Sequence, residues 1–253
     1  MMRVAQLVFR NAVKSRWEDA GFVVSAEGKV VVGNTEIILL PSSSPSSSSP
    51  PPSIDTDADD NCLESWTLEL DDPSLPPLLA PVRVDLNGLP TVLRLPSAAP
   101  SPTPHPNRAV RIDHLVLTTT APFHSLLETA LSTRLGLSAP RKTIRSDSRG
   151  PTFRFYRIGE LLLESLEFPS SDSSSSASTS SFWGITFRTD DIAVSHQILT
   201  QAALLREVTP EQALSPIRAA FQPHRSIFTV RQPTGLGTRI AFISAPPLLS
   251  GRL

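Results

Sequence analysis

Short alternating runs of apolar and polar positions fill most of this chain, and each predicts a strand. "GKVVVGNTEIILLP" reads as a strand pair punctuated by Gly28 and Gly33, with "AGFVVS" as a strand before it. "SWTLEL" follows, and "PVRVDLNGLPTVLRL" reads as two short strands around the turn signal Asn87-Gly88. Further on, "AVRIDHLVLT", "RKTIRS", "TFRFYRI" and "ELLLESLEF" alternate in the same way, the last two joined at Gly159-Glu160. "FWGITFRT", "SIFTVRQ" and "TRIAFIS" complete the set, while "TPEQALSPIRAAF" is less regular.

Three stretches carry helical spacing instead. In "PFHSLLETALSTRLG" the residues Leu126, Leu127, Ala130, Leu131 and Leu135 make one stripe, closed by Gly136. "IAVSHQILTQAALL" is preceded by Asp190 and Asp191, either of which can cap it. The opening "MMRVAQLVFRNAVKSRW" places Val4, Leu7, Val8 and Trp17 at helical spacing. Its four basic residues and lack of acidic ones leave two readings open: a structural helix in a cytoplasmic protein, or a mitochondrial presequence.

Composition divides the run of elements. "PSSSPSSSSPPPSIDTDADDN" (41–61) and the Ser-rich 169–181 bury no apolar surface and are expected to be disordered inserts. Residues 96–108 form a Pro-rich linker. The folded pieces are then 1–95, 109–168 and 182–245. The last two share one order, strand, helix, then strands, which is an internal repeat.

Charge and cysteine content narrow the chemistry. A net charge of −1 without a basic block argues against nucleic acid and anionic membrane surfaces as partners. No stretch approaches the roughly 20 apolar residues of a membrane span. One cysteine, Cys62, excludes an intrachain disulfide and a cysteine-cluster metal site. There is no GxSxG elbow, P-loop or GxGxxG after a strand.

"IDHLVLTTTAPFHSLLETALSTRLGL" followed by "FRFYRIGELLLESLEFP" resembles a βαβββ module of the vicinal oxygen chelate superfamily, which includes glyoxalase I, bleomycin-resistance proteins and extradiol dioxygenases. "FWGITFRTDDIAVSHQIL" with "RIAFIS" resembles its paired module, and "SRWEDAGFVVSAEGKVVVGNTEIILL" resembles part of another. The resemblance implies an α+β fold: paired βαβββ modules in a half-open barrel, with an N-terminal partial module. It implies a cavity in which a divalent metal (Zn, Fe, Mn or Ni) polarises a carbonyl-bearing substrate or binds dioxygen.

On this pattern His114 matches the first-strand ligand and Glu164 the last-strand carboxylate. Glu164 serves as ligand or as general base. Alternation independently puts Glu164 on one face with Leu162, Leu166 and Phe168, where a carboxylate needs a partner. The same alternation groups His114 with Ile112 and Val116, and sets Asp113 with Leu115 and Leu117 on the other face. The second module departs from the pattern, with Gly184 and Ala241 at its two ligand positions. His224 comes just before a strand of that module and is a candidate replacement, against a plain surface histidine; His196 is expected to point away. Arg225 offers a fork for an anionic substrate. Arg154 and Tyr156 are placed along the pocket, with Phe153, Phe155 and Arg157 opposite.

The expected function is a glyoxalase-like enzyme acting on a small carbonyl- or oxygen-bearing molecule, a metal-dependent lyase, isomerase or dioxygenase with a degenerate site. The alternatives are a metal-free binding module of the bleomycin-resistance kind, and an interaction protein regulated through phosphorylation of its Ser-rich inserts. The resemblance also allows a homodimer.

Overall fold

The computed structural model describes residues 2–41, 63–70, 80–120, 124–145, 150–169, 180–231 and 235–247. The two segments expected to be disordered, 41–61 and 169–181, fall almost entirely outside these residues.

The first sheet has six strands. They are β1 (Met2–Phe9), β2 (Lys29–Val32), β3 (Thr35–Leu39), β4 (Leu63–Leu70), β5 (Val82–Asp85) and β6 (Pro90–Arg94), in the order β2-β3-β1-β4-β6-β5. Helix α1 (Lys14–Asp19) lies between β1 and β2. The N-terminal helix expected from residue 4 onward therefore begins only at Lys14. Hydrogen-bonding partners on both sides, β3 and β4, hold residues 2–9 extended, with Leu7 and Phe9 fully buried at strand spacing. "AGFVVS" forms no strand. The Asn87-Gly88 turn joins β5 and β6 as expected, both residues having positive φ (56° and 92°).

The second sheet has eight strands. One βαβββ run is β7 (Ala109–Thr120), α2 (His124–Leu135), β8 (Lys142–Arg145), β9 (Thr152–Ile158) and β10 (Leu161–Phe168). The other is β11 (Ser181–Thr189), α3 (Ile192–Leu204), a short α4 (Pro210–Ala213), β12 (Arg218–Ala219), β13 (Ser226–Val230) and β14 (Arg239–Ser244). Of the two candidate caps, Asp191 is the one used; it accepts from the amides of Ala193 and Val194. The sheet order is β12-β13-β14-β11-β7-β10-β9-β8. In each run the first and last strands pair in parallel, and the two first strands, β7 and β11, meet antiparallel at a central seam.

The smaller sheet repeats that plan in shorter form. β1 pairs parallel with β3, β4 pairs parallel with β6, and β1 meets β4 antiparallel. Even the irregularities correspond. A bulge at Ala5 interrupts the β1–β4 ladder just before Gln6, as a bulge at Asp113 interrupts the β7–β11 ladder just before His114. On this register Gln6 is the counterpart of His114, and Ile38 of Glu164.

The sheets are joined by aromatic packing and by the linker. Trp17 of α1, fully buried, lies 5.2 Å from Phe9, 5.1 Å from Phe22 and 6.4 Å from Phe187 of β11, ring centre to ring centre. Phe22 reaches Phe242 of β14 at 6.3 Å. The Pro-rich linker docks at its end. The His105 ring accepts from the Val23 amide at 3.0 Å and donates to the Val31 carbonyl at 2.9 Å. Asn107 donates to the Ala20 carbonyl (2.8 Å), and its own carbonyl accepts from Ser195 of α3 (2.7 Å).

Truncating Trp17 to Ala removes the largest side chain of this junction. We expect a loss of about 3–5 kcal/mol in unfolding free energy by urea titration. A loss below about 1 kcal/mol would show that the sheets do not depend on it.

Candidate functional site

The bulge at Asp113 decides what faces what. Without it, strict alternation sets Ile112 beside His114. In the structure Ile112 pairs with Phe187 and joins Leu115 and Leu117 in the core, whereas His114 pairs with Thr186 on the other face. The extra residue also brings the Asp113 carboxylate round to the imidazole: Oδ2 lies 2.9 Å from His114 Nδ1. The approach is oblique to the ring N–H, so the contact is more electrostatic than directional.

Asp113 is held by two arginines. Arg188, two residues along β11 from Thr186, donates from Nε (2.8 Å) and a terminal nitrogen (2.6 Å) to Oδ1. Arg225 donates to both carboxylate oxygens, at 3.1 and 3.0 Å, and to the Ser244 carbonyl at 2.7 Å. Burial alone pushes the Asp113 pKa up, but His114 and Arg225 outweigh it and the carboxyl sits far below the ordinary range. On the far side of the ring, Gln222 Nε2 lies 3.0 Å from His114 Nε2. With the amide donating there, the ring proton sits on Nδ1, toward Asp113.

His114 and Glu164 share one face. In the parallel β7–β10 ladder His114 is opposite Leu162, and Glu164 is the next residue of β10 on that side. Both line a cavity of about 590 Å³. Its walls are Ile144, Phe153, Phe155, Phe221, Ile227 and Ile243, and Thr186, Arg218 and Gln222 add polar groups. The size suits a small organic molecule. Burial raises the Glu164 pKa, opposed by the charge of His114. No hydrogen bond or ion pair to a described residue holds the Glu164 carboxyl.

Arg154 and Tyr156 do not line this cavity. Phe155 pairs with Glu164 and Phe153 with Leu166, which turns Arg154 and Tyr156 to the helix side of the sheet. There Arg154 pairs with Glu167, and Tyr156, 2 % exposed, packs in the core. Alternation along β9 was legible in the sequence; which side faced the hollow was not. Arg225 is drawn into the Asp113 pair, its side chain 8 % exposed, so its fork is already occupied. His224 is exposed in the β12–β13 turn with φ at 59° and does not line the cavity. His196 packs on Phe228, centroids 4.9 Å apart. Gly184 makes no room in the cavity: a Cβ there would lie 2.6 Å from the Arg239 carbonyl of β14. Sequence reading missed Asp113, Arg188, Gln222 and Arg218. Only the Asp-His pairing in "IDH" signalled any of them.

The donor set does not fit a divalent metal. His114 and Glu164 supply two ligands; their counterparts in the second half are Thr186 and Ile243, not the Gly184 and Ala241 expected from the sequence, and neither supplies an imidazole or carboxylate. No three His, Cys, Asp or Glu side chains stand together among the described residues. Catalytic sites usually use three such ligands, and two guanidinium groups behind the imidazole add positive charge.

Two consequences can be measured. Asp113→Ala leaves two largely buried guanidinium groups without their anion, so we expect a loss of about 3–5 kcal/mol in unfolding free energy. Because the folded pKa of Asp113 is depressed, its contribution is present above the ordinary carboxylate value of about 3.9 and is lost as pH falls through the folded value. The stability gap between wild type and Asp113→Asn should therefore narrow below about pH 4. Glu164 has the opposite sign: its folded pKa is raised, so its charged form costs stability at neutral pH. Glu164→Gln should raise the unfolding midpoint at pH 7, by less as pH falls, and a midpoint below wild type at pH 7 would contradict this.

No family model and no curated protein sequence matches the chain. Solved structures do. A triple mutant of 4-hydroxymandelate synthase from Streptomyces coelicolor superposes with a TM-score of 0.60 at 12 % identity, over 97 % of this chain and 94 % of that one. BphC, described as a halotolerant catechol dioxygenase, gives 0.56 at 12 % identity, over 96 % and 86 %. A fusion of a xylose isomerase-like TIM barrel with 4-hydroxyphenylpyruvate dioxygenase gives 0.54 at 15 % identity, over 98 % of this chain and 49 % of the fusion. Identities this low speak for the fold alone. With two βαβββ runs meeting at a first-strand seam over a half-open cavity, the chain has the fold of the vicinal oxygen chelate superfamily.

Proposed function

We propose that this protein is a metal-independent proton-transfer enzyme acting on a small carbonyl compound with an apolar or aromatic body. The observation that carries the reading is the string Gln222–His114–Asp113, with the unpartnered Glu164 carboxyl beside it on one cavity face. Asp113 keeps the ring proton on Nδ1 and stabilises the imidazolium that forms when Nε2 takes another. A substrate entering the cavity displaces Gln222 from Nε2. His114 then removes a proton from the carbon next to the carbonyl, breaking the C–H bond. Glu164, whose raised pKa favours the neutral acid, donates its proton to the carbonyl oxygen as the enol forms. Return of a proton to the same or a neighbouring carbon, and of the enol proton to Glu164, completes an epimerisation or isomerisation. Arg188 and Arg225 act one step back, by holding Asp113. The solved structures of similar fold include enzymes on small molecules, which agrees with this reading without fixing the reaction.

A second reading rests on Gln222 itself. An amide 3.0 Å from the reactive nitrogen also suits a binding module that needs no base.

The test is deuterium incorporation from D2O into a panel of aryl- and alkyl-substituted aldehydes, ketones and 2-oxo acids, followed by proton NMR. Wild type should exchange the proton next to the carbonyl above the buffer rate, with and without EDTA. His114→Gln should lower the rate by about 10²–10⁴-fold. Exchange that disappears with EDTA and returns with added metal would overturn the metal-free mechanism. No exchange by wild type, combined with ligand-induced thermal stabilisation, would leave the binding module.

A further inference from the structure

Arg218 has no role in the chemistry above, yet it stands in the wall of the same cavity. β12 is only two residues long, and its pairing puts Arg218 opposite Ile227, a cavity-wall residue. Paired residues of antiparallel strands project to one side, so the Arg218 side chain leaves the sheet on the cavity face. Among the described residues lining the cavity it is the only guanidinium or ammonium group. No carboxylate of a described residue pairs with it, whereas the arginines behind His114 are both bound to Asp113.

The chain after Arg218 closes over the cavity. Phe221 crosses to the opposite edge of the sheet, where Lys142 Nζ of β8 lies 4.4 Å from its ring centre. Gln222 reaches down to His114. Arg218 thus stands at the mouth and Lys142 is engaged with the Phe221 ring, while the one acid among the described residues lining the cavity, Glu164, stands deeper with His114. This separation of charge orients a ligand. An anionic group is repelled by Glu164 and attracted at the rim, and a guanidinium suits a carboxylate through paired N–H donors. Phe153, Phe155 and Ile243 lie between the two ends and suit an apolar or aromatic body.

We infer that the cavity selects small monocarboxylates with an apolar body, bound with the carboxylate at Arg218 and the opposite end toward His114 and Glu164. This deepens the proton-transfer reading by naming the substrate's charge and orientation, and it rests on that reading only for what happens at the inner end.

The test reads binding without turnover. Isothermal titration with 3-phenylpropanoate and its neutral isostere 3-phenylpropanamide should show the carboxylate binding wild type about tenfold more tightly. Arg218→Gln should abolish the preference and leave amide affinity unchanged, and Arg218→Lys should keep part of it. Arg218 is exposed on an edge strand, and an unchanged unfolding midpoint of Arg218→Gln will show that the variant is folded. Equal affinities in wild type, a preference that survives Arg218→Gln, or failure of both compounds to bind would each overturn the inference. His114→Gln separates the two proposals: it should lose deuterium exchange while keeping the carboxylate preference. A wild type that prefers the carboxylate yet exchanges no proton would overturn the proton-transfer reading alone.

Discussion

One extra residue in a strand governs this site. A bulge at Asp113 puts two consecutive side chains of β7, an acid and an imidazole, where regular pairing would allow one. The carboxylate so exposed to the interior is buried, and a buried charge requires compensation. Arg188 of β11 and Arg225, at the end of the turn into β13, supply it. The imidazole thereby has an anion beside Nδ1 and presents Nε2 to Gln222 and the cavity. The positions of Arg225, Arg188 and His114 all follow from where that carboxylate lies.

The two sheets show what the same framework does without those side chains. The smaller sheet keeps the first-strand seam and the bulge, with Ala5 and Gln6 at the corresponding positions. Gln6 donates to Glu36 at 2.8 Å, and Ile38 takes the register position of Glu164. Alanine at that bulge offers no charge to satisfy, and the arginines that share a surface pocket with it, Arg3 and Arg94, bind Glu69 together with Ser97 of the linker. The backbone arrangement is common to both sheets, and the chemistry resides in a few side chains of one.

The linker and α1 make the two sheets one body. His105 and Asn107 satisfy backbone groups of the first sheet's connections, while Asn107 also accepts from α3. Trp17, Phe22, Phe187 and Phe242 fill the space between. These contacts lie on the side of the eight-stranded sheet away from the cavity, so its concave face remains open to a ligand.

Much of this was legible in the amino-acid order. Periodicity located nearly every strand of the larger sheet, both of its long helices and the Asn87-Gly88 turn. The family resemblance carried by "IDH" and "LLLESLE" implied that His114 and Glu164 meet in one cavity, and the pairing of β7 with β10 sets both on one face. The opening helix misled, since Val4, Leu7 and Val8 satisfy helical spacing, and only strands on both sides held that segment extended. Local pattern also determined that Arg154 and Tyr156 share a side of β9, but not which side is hollow. A bulge leaves no mark on composition or period, so the partners of Asp113 and the cation at the cavity mouth were decided by tertiary structure alone: they depend on which strands meet, and a buried charge finds its partners in space rather than in sequence.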